Sequence, residues 1–367
     1  RLLKHPPLRA KEVRYFARIA GIRNIRQRCS GFAGASVWVA QARQTVGDGS
    51  VRGGFWLTSA AVVLTVVSLS ACTSSDAGKD EPPSANPDRL QVATTFTVLA
   101  DMVKEVGGEH VDVASITRPG AEIHGYEPTP SDIRNAANAD LVIVNGLGLD
   151  DWFTAFTEAS GAPHITATDG IEVIPIANGE YAGYANPHAW MAPSTGMRYI
   201  DNIATALSEA DPAHSAEYRA NADAYNQRLA ELDQELVSKL AELPESQRSL
   251  VTCEGAFSYL ARSANLQERY LWPVNAEKQS TPRRVADVID YVRDNSVQAV
   301  FCESTVSPQS QQLVADEGGA QFGGTLYVDS LSDEAGPVPT YYRLLEHDVR
   351  TIVDGLRAGS DASQVAQ

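Results

Sequence analysis

The sequence predicts an α/β protein with two lobes, each a parallel sheet flanked by helices, joined by one long spine helix. Two blocks of the chain alternate short apolar runs with helical segments, which is typical of parallel strands covered on both faces. Between the blocks lies a helical segment with one continuous apolar stripe. A chain of 367 residues is long enough for two or three domains.

The first block contains four strand candidates and begins with an apolar run followed by a helix that Gly107 and Gly108 end. The strands are expected at 90–96, 111–116, 141–145 and 164–168, with a further helix at 130–139. The second block repeats this alternation, with strands expected at 249–253, 299–302 and 325–328. We therefore place an N-terminal lobe at 90–210 and a C-terminal lobe at 245–362.

The linking helix is predicted over 211–244, with Asp211 as its N-cap, Pro212 in its first turn and Pro244 closing it. Its apolar stripe consists of Tyr218, Tyr225, Leu229, Leu232, Leu236, Leu240 and Leu243. From about Pro212 to Leu243, at ~1.5 Å per residue, the helix is roughly 48 Å long. A dimeric coiled coil would explain the stripe too, but about four heptads are short for one, and a helix laid across both lobes explains it better.

The N-terminal part of the chain predicts an extracytoplasmic, membrane-anchored protein. Residues 55–71 are uncharged and largely apolar, follow Arg52 and end in small residues before Cys72, which is the layout of a secretory signal. The ending Leu69-Ser70-Ala71-Cys72 resembles the bacterial lipobox, whose cysteine becomes a lipidated N-terminus. An uncleaved membrane anchor is the alternative, although 17 residues are few for a span that needs about 20.

One segment follows this signal and another precedes it. Residues 72–89 are polar and rich in Pro and Ser, which predicts a flexible tether. Residues 1–50 precede a complete signal and show no folding pattern, so we expect an over-extended reading frame, with Val51 as an alternative start and the signal peptide at 51–71.

The net charge of the chain after residue 71 excludes nucleic acids as general binding partners. Residues 72–367 carry 19 Lys and Arg against 44 Asp and Glu, a balance of −25. A body this acidic repels phosphate backbones, so general nucleic-acid binding is excluded. Four cysteines, two of them within the first 72 residues, are too few for a disulfide scaffold or a four-thiolate zinc site.

Two histidines and three acids stand where parallel strands are expected to end, the edge at which open α/β sheets bind ligands. His124 and His188 lie in loops bounded by Pro and Gly, whereas His110, His164, His214 and His347 are expected in surface or capping roles. Glu254, Glu303 and Asp329 each follow a strand candidate directly, and each taken alone is as readily a helix N-cap or a loop acid.

Six segments in order resemble the metal-binding lipoproteins of bacterial zinc, manganese and iron ABC importers, over about residues 90 to 356. They are HGYEPTPSDI, NPHAWM, TCEGAFSYLA, LWPVNAEKQSTP, FCESTV and LYVDSLS. The resemblance implies a metal-type periplasmic-binding-protein fold, with the metal buried between the lobes. It implies that the ligands are His124, His188, Glu254 and Asp329, and that the partners are a membrane permease and its cytoplasmic ATPase. Tyr126 and Glu303 are candidates for orienting the ligands.

The chemistry of this ligand set agrees with a divalent cargo. Two neutral imidazoles and two carboxylates carry a charge of −2, which a divalent cation cancels, so the loaded site can be buried. Carboxylates favour Mn²⁺ and then Fe²⁺, whereas Zn²⁺ prefers sites rich in His or Cys. Zinc carriers of the family typically have a third His in place of Glu254 and a His-rich loop after the first ligand, and residues 125–187 contain only His164 before the second. We therefore expect Mn²⁺, with Fe²⁺ and Zn²⁺ as alternatives.

Cys253 and Cys302 each precede an acid at a strand end. Equivalent ends of adjacent parallel strands lie ~4.8 Å apart, which suits a disulfide. We expect this bridge; two buried thiols, or thiol ligands that would favour zinc, are the alternatives.

The expected function is a monomeric, lipid-anchored receptor that captures Mn²⁺ and delivers it to an importer, and not an enzyme. A secreted zinc hydrolase would need an open coordination position and a general base, and the chain has no His-Glu-x-x-His. The acidic surface gives no specific support for an adhesin, and a receptor for a chelated cargo such as a siderophore needs no protein ligands on the metal.

Overall fold

The computed structural model describes residues 88–153, 157, 161, 163–179, 181–274 and 281–365, with side chains up to residue 358. The predicted signal peptide, Cys72 and most of the tether lie outside these residues. No helix in the described ranges is both long and apolar enough to cross a membrane.

The N-terminal lobe is built on a four-stranded parallel sheet in the order β2-β1-β3-β4. Its strands are β1 (Leu90–Thr94), β2 (Val111–Ser115), β3 (Leu141–Val144) and β4 (His164–Thr166). Its helices are α1 (Thr97–Gly107), α2 (Pro130–Ala136) and α3 (Pro193–Ala210). All four strands fall where the sequence predicts them, and each ends one or two residues early because the chain turns there into the loops at the sheet edge.

The C-terminal lobe contains two parallel strand pairs. They are β5 (Ser249–Glu254) with β6 (Gln267–Trp272), and β7 (Ala299–Glu303) with β8 (Gln321–Leu326). Its helices are α5 (Ser258–Ser263), α6 (Pro282–Asp294), α7 (Gln309–Gly318) and α8 (Tyr341–Val365). The two pairs lie side by side, with the Cα atoms of Cys253 and Cys302 4.9 Å apart.

Two strands of this lobe differ from the prediction. β6 was not predicted, because its first four residues alternate between exposed and half-buried and leave only Leu271 and Trp272 as a buried apolar pair. The strand predicted at 325–328 is β8, which begins four residues earlier, at Gln321. Two glycines obscure it: a Cβ on Gly323 would lie 2.5 Å from the Phe301 ring, so close packing requires glycine in mid-strand.

The spine helix α4 (Ser215–Ala241) follows a short 3₁₀ turn, Pro212–His214, and is about 40 Å long. Every residue of the predicted stripe is buried, and α4 packs against α1, α3 and α8. Because the stripe packs within the chain, it does not provide a coiled-coil seam. Asp211 stands at the N-cap position of the turn that begins at Pro212, as predicted, but its carboxylate mainly serves other partners. It accepts hydrogen bonds from His214 Nδ1 at 2.6 Å and from the Tyr218 hydroxyl at 2.7 Å.

The core explains why both lobes form one compact body. A single apolar cluster includes Leu99 of α1, Ile203 of α3, Leu229 of α4 and Leu345 of α8, all fully buried. The spine therefore shares its core with the last helix of the chain as well as with the first lobe. The predicted boundaries of the lobes stay predictions.

Candidate metal centre

Four side chains meet in a buried cluster, two from each lobe: His124, His188, Glu254 and Asp329. Each offers a nitrogen or oxygen atom, and these atoms lie within 4.8 Å of one another. The two imidazole Nε2 atoms are 3.0 Å apart. Glu254 Oε1 lies 3.3 Å from His124 Nε2 and 3.5 Å from His188 Nε2, while Asp329 Oδ1 lies 3.9 and 3.7 Å from them.

The ends of the parallel strands bring these residues together. His124 lies in the loop between β2 and α2, and His188 lies immediately before a 3₁₀ turn that leads into α3. Glu254 is the last residue of β5, and Asp329 stands three residues beyond β8. Glu254 and Asp329 therefore lie at the carboxyl ends of β5 and β8, as the sequence predicts.

The cluster is almost fully shielded from solvent. The side chain of His124 is 4% exposed, that of Glu254 2%, and those of His188 and Asp329 0%. Neither carboxylate oxygen of Asp329 has a hydrogen-bond partner among the described residues. Buried acceptors of this kind are costly unless a cation or donor satisfies them, so the donor set fits a divalent ion.

The protonation of the metal-free cluster follows from burial and charge. Burial alone lowers the pKa of His124, but the Glu254 carboxylate beside it, together with Asp329, raises that pKa to about 9. Burial lowers the pKa of His188 to about 3, although the Glu254 charge opposes it. Burial and the Glu254 charge raise the pKa of Asp329 well above its usual range. The metal-free cluster therefore holds protons that a cation must displace.

Glu303 contacts the cluster through the backbone of its neighbour. Its Oε2 accepts a hydrogen bond from the Glu254 backbone N–H at 3.1 Å, and its side chain is 2% exposed. Burial and the Glu254 charge raise the pKa of Glu303 well above its usual range. This contact orients Glu254 at the end of β5.

Cys253 and Cys302 form a disulfide, with their Sγ atoms 1.99 Å apart. Both sulfurs are therefore used in the bridge, and neither acts as a thiolate ligand. The bridge joins β5 to β7 at the residues that precede Glu254 and Glu303.

Tyr126 contacts α2 and Trp152. The hydroxyl donates to Asp132 Oδ2 at 3.0 Å, and the ring packs on Trp152 with 5.3 Å between ring centroids. Tyr126 thus ties the loop that carries His124 to Asp132 in the first turn of α2.

The remaining described histidines lie outside the cluster. His110 Nε2 pairs with Glu217 at 2.9 Å, and its ring stacks on His214 at 3.7 Å between centroids. His347 Nε2 lies 3.0 Å from the carbonyl oxygen of Thr325, and His164 is exposed on β4.

A cavity of about 490 Å³ adjoins His124. Its wall includes Leu149, Asp151, Tyr181 and Tyr184. The ring of Tyr184 is largely exposed, so the cavity is accessible from the surface on the His124 side of the cluster.

Sequence reasoning missed the residues that hold His188. Asn186 accepts from its Nδ1 and is itself bound by Gly255, Ser258 and Tyr259. The position of Asn186, two residues before a candidate ligand, is a signal that points to it, whereas its partners emerge only from the fold.

Comparison with known proteins gives a consistent result. The family model described as "Zinc-uptake complex component A periplasmic" (ZnuA) matches residues 92–355. The chain is 48% identical over 297 residues to "Iron-binding protein YfeA" of Yersinia pestis, covering 81% of this chain and 96% of that protein. It is 30% identical over 301 residues to "Metal ABC transporter substrate-binding lipoprotein SsaB" of Streptococcus sanguinis, covering 80% and 97%.

Solved structures show the same architecture. A manganese-bound periplasmic metal-binding protein from Candidatus Liberibacter asiaticus matches with a TM-score of 0.68 and 34% identity, over 73% of this chain and all of that one. The periplasmic zinc-binding protein TroA from Treponema pallidum matches with a TM-score of 0.67 and 25% identity, over 73% and 99%. The likeness therefore extends across both lobes.

Proposed function

The chain belongs to the ZnuA family of periplasmic metal-binding proteins and is a substrate-binding component of a metal ABC importer, and from this premise we propose that it captures Mn²⁺ with His124, His188, Glu254 and Asp329. The family, the α/β fold and the assignment as a binding protein rather than an enzyme agree with the sequence prediction and are confirmed. A secreted zinc hydrolase is thereby excluded.

The observation that carries the ligand assignment is the buried cluster itself. Two imidazole nitrogens and two carboxylates converge within 4.8 Å, and both buried carboxylate oxygens of Asp329 lack a hydrogen-bond partner in the described part of the chain. A divalent cation neutralises the charge of −2 on the ligands and satisfies those oxygens. In the loaded state the ion connects the two lobes, because each lobe supplies two of the ligands.

The choice of Mn²⁺ rests on the chemistry of the donors. Two carboxylates and two imidazoles, with carboxylates able to bind through both oxygens, suit the higher coordination numbers that Mn²⁺ and Fe²⁺ accept. The relatives are named for different metals: iron for the Yersinia protein, manganese for the Liberibacter structure and zinc for TroA. Fe²⁺ is the second candidate cargo and Zn²⁺ the third.

The proposal extends to location and assembly. The SsaB relative is named a lipoprotein, and the chain carries a lipobox-like sequence ending at Cys72. We propose a monomer anchored outside the cytoplasm by a lipid on Cys72, which hands its ion to the permease of the importer. The cavity beside His124 gives the ion a route to the ligands.

Metal competition tests the choice of cargo. The soluble body, starting after Cys72, is stripped of metal and dialysed against limiting Mn²⁺, Fe²⁺ and Zn²⁺, alone and in pairs. Measurable one-to-one Mn²⁺ binding is expected, even where Zn²⁺ binds more tightly, because Zn²⁺ ranks above Mn²⁺ in general affinity. Glu254→His should shift the ratio of affinities further toward Zn²⁺. Tight Zn²⁺ binding with no measurable Mn²⁺ binding would reverse the assignment of the metal and leave the ligand set standing.

Anchoring has its own test. Expression of the whole chain in a bacterial host should yield a membrane-bound protein that begins at Cys72 and carries a lipid, seen by mass spectrometry. Cys72→Ala should release the body from the membrane. A protein that stays in the membrane after this substitution would instead indicate an uncleaved anchor.

A further inference from the structure

We propose that Asn186 is a positioning residue that fixes the tautomer of His188 and, because residues 255–259 of the other lobe hold it, resists release of the ion. The inference rests on the proposed ligand role of His188. It assigns roles to Asn186, Ser258 and Tyr259, which lie outside the ligand set.

Two backbone groups, one that can only donate a hydrogen bond and one that can only accept, determine the orientation of the Asn186 side-chain amide. The backbone N–H of His188 can only donate, and it lies 3.1 Å from Asn186 Oδ1. The backbone carbonyl of Gly255 can only accept, and it lies 2.7 Å from Asn186 Nδ2. The amide oxygen therefore faces His188 and the amide nitrogen faces the other lobe.

This orientation decides which nitrogen of His188 carries the proton. Nδ1 lies 2.9 Å from Asn186 Oδ1, and an oxygen that only accepts requires a donor opposite it. Nδ1 therefore carries the hydrogen, and the lone pair of Nε2 faces the cluster, 3.5 Å from Glu254 Oε1. A metal ligand of this kind needs its second nitrogen fixed by a hydrogen bond, and Asn186 supplies it.

The segment that follows Glu254 holds Asn186 by three hydrogen bonds. Besides the Gly255 carbonyl, Ser258 Oγ lies 3.1 Å from Asn186 Nδ2, and the Tyr259 hydroxyl donates to the Asn186 carbonyl at 2.8 Å. Ser258 in turn donates to Glu268 Oε2 at 2.6 Å, so its own hydrogen is already engaged. Asn186, two residues before His188, is thus bonded directly across the lobes to residues that follow Glu254.

Gly255 packs closely against β6 of its own lobe. A Cβ added to Gly255 would lie 2.8 Å from the carbonyl oxygen of Pro273 and 2.8 Å from the Tyr270 ring. This packing favours glycine at position 255, whose carbonyl lies 2.7 Å from Asn186 Nδ2. Asn186 is 2% exposed, so its polar groups have no access to water while these bonds are made.

Release of the ion by separation of the lobes must break these bonds. Each exposes or leaves unpaired a buried polar group, which is unfavourable until water replaces the partner. The links therefore slow dissociation of the ion, while the bond to His188 Nδ1 sets affinity by orienting the ring.

The test separates the two roles with different variants. Asn186→Leu removes the contact with His188 and the two links made by the side-chain amide, and leaves the Tyr259 bond to the backbone carbonyl of residue 186 in place. Ser258→Ala and Tyr259→Phe keep the contact with His188. Ser258→Ala removes one link, and Tyr259→Phe removes the bond to the carbonyl together with the bond that the Tyr259 hydroxyl accepts from the Ile174 backbone N–H. Asn202→Leu and Ser249→Ala are the matched controls, because each loses hydrogen bonds outside the cluster. Nitrogen-15 NMR of the metal-free protein reports which His188 nitrogen is protonated, and chelator competition and stopped-flow release with Mn²⁺ alone report affinity and dissociation rate.

Wild-type protein and both controls should show a protonated Nδ1. Asn186→Leu should lose that pattern and bind Mn²⁺ about 10–100-fold more weakly. Ser258→Ala and Tyr259→Phe should keep the pattern and release Mn²⁺ several-fold faster than the controls. An Asn186→Leu protein that folds and keeps both the pattern and the affinity would overturn the tautomer role, and release at the control rate by both other variants would overturn the link between the lobes.

The NMR result stands independently of the proposed function. Wild-type protein that binds no Mn²⁺ but shows a protonated Nδ1 would contradict the proposed cargo and support the assignment of the tautomer. A wild-type His188 protonated at Nε2 would overturn the inference even if Mn²⁺ binds.

Discussion

The indole Nε1 of Trp190 donates a hydrogen bond to the backbone carbonyl of Val328 at 3.0 Å, between two fully buried residues. Trp190 follows His188 by two residues, and Val328 directly precedes Asp329. One bond therefore joins the segments that carry two candidate ligands from different lobes. The Trp190 carbonyl in turn accepts from the Tyr341 hydroxyl at 2.5 Å, at the start of α8.

Trp190→Phe should be more destabilising than the loss of ring volume alone explains. It leaves the Val328 carbonyl buried without its donor, which costs about 1–3 kcal/mol of the free energy of unfolding. Trp272→Phe is the matched control, because Trp272 is equally buried and its Nε1 has no partner in the described ranges. If urea unfolding shows the same loss of unfolding free energy for both variants, a stabilising role for the bond is contradicted.

Metal binding should release protons at neutral pH. The pKa of His124 is raised to about 9, so its imidazole is protonated at pH 7 in the metal-free cluster, and burial also raises the pKa of Asp329. Because the cation displaces the His124 proton, its apparent affinity should rise roughly tenfold per pH unit between about pH 6 and 9. Calorimetry in two buffers of different ionisation enthalpy measures the number released. Identical apparent enthalpies in both buffers would refute the displacement.

The disulfide between Cys253 and Cys302 should contribute strongly to stability. It closes a loop over a sequence separation of 49 residues, for which the loss of chain entropy in the unfolded state predicts about 4 kcal/mol. Replacing both cysteines with alanine should lower the free energy of unfolding by about 2–4 kcal/mol. Wild-type protein unfolded in reductant should match the double variant. Two alkylated thiols in the non-reduced, unfolded body would show instead that the bridge does not form.

Asp101 should make stability fall as the pH rises from about 4 to 6. Burial raises its pKa to about 6, although the Tyr341 backbone N–H, 2.7 Å from its Oδ2, opposes the shift. A carboxyl group with a raised folded-state pKa is favourable while protonated, and this contribution is lost as the pH rises from the unfolded to the folded pKa.

Asp101→Asn should therefore gain stability relative to wild type between pH 4 and 6 and keep that gain at pH 7. Asp290→Asn, which removes an exposed ion pair with Arg293, should change stability by less than about 0.5 kcal/mol at any of these pH values. If the free energy of unfolding depends on pH in the same way for Asp101→Asn and wild type, the raised pKa of Asp101 is contradicted.

The comparison of sequence with structure shows which features are locally encoded. The strand ahead of Glu254 and the stripe on the spine helix are visible because burial produces a periodic apolar pattern. β6 was missed because its first four residues alternate between exposed and half-buried. The start of β8 was predicted too late because Gly323, which makes room for Phe301, hides the strand pattern.

Side-chain partners were harder to predict than positions. The four candidate ligands could be identified from motifs at strand ends, but the bond of Asn186 to a segment about 70 residues away depends on how the lobes pack. Asp211 was predicted to cap a helix because of its sequence position, whereas His214 and Tyr218 compete for its carboxylate in the folded chain.

Metal stoichiometry of the soluble body tests the central claim most directly. Protein starting after Cys72 is stripped, reloaded with Mn²⁺, freed of excess ion and analysed for its elements, beside Glu254→Ala and His124→Ala. His164→Ala, which changes an exposed histidine on β4, is the control. We expect one Mn²⁺ per chain for wild type and control and loss of the ion from the other two variants. Wild-type protein without bound metal, or Glu254→Ala and His124→Ala retaining a full equivalent, would contradict the claim.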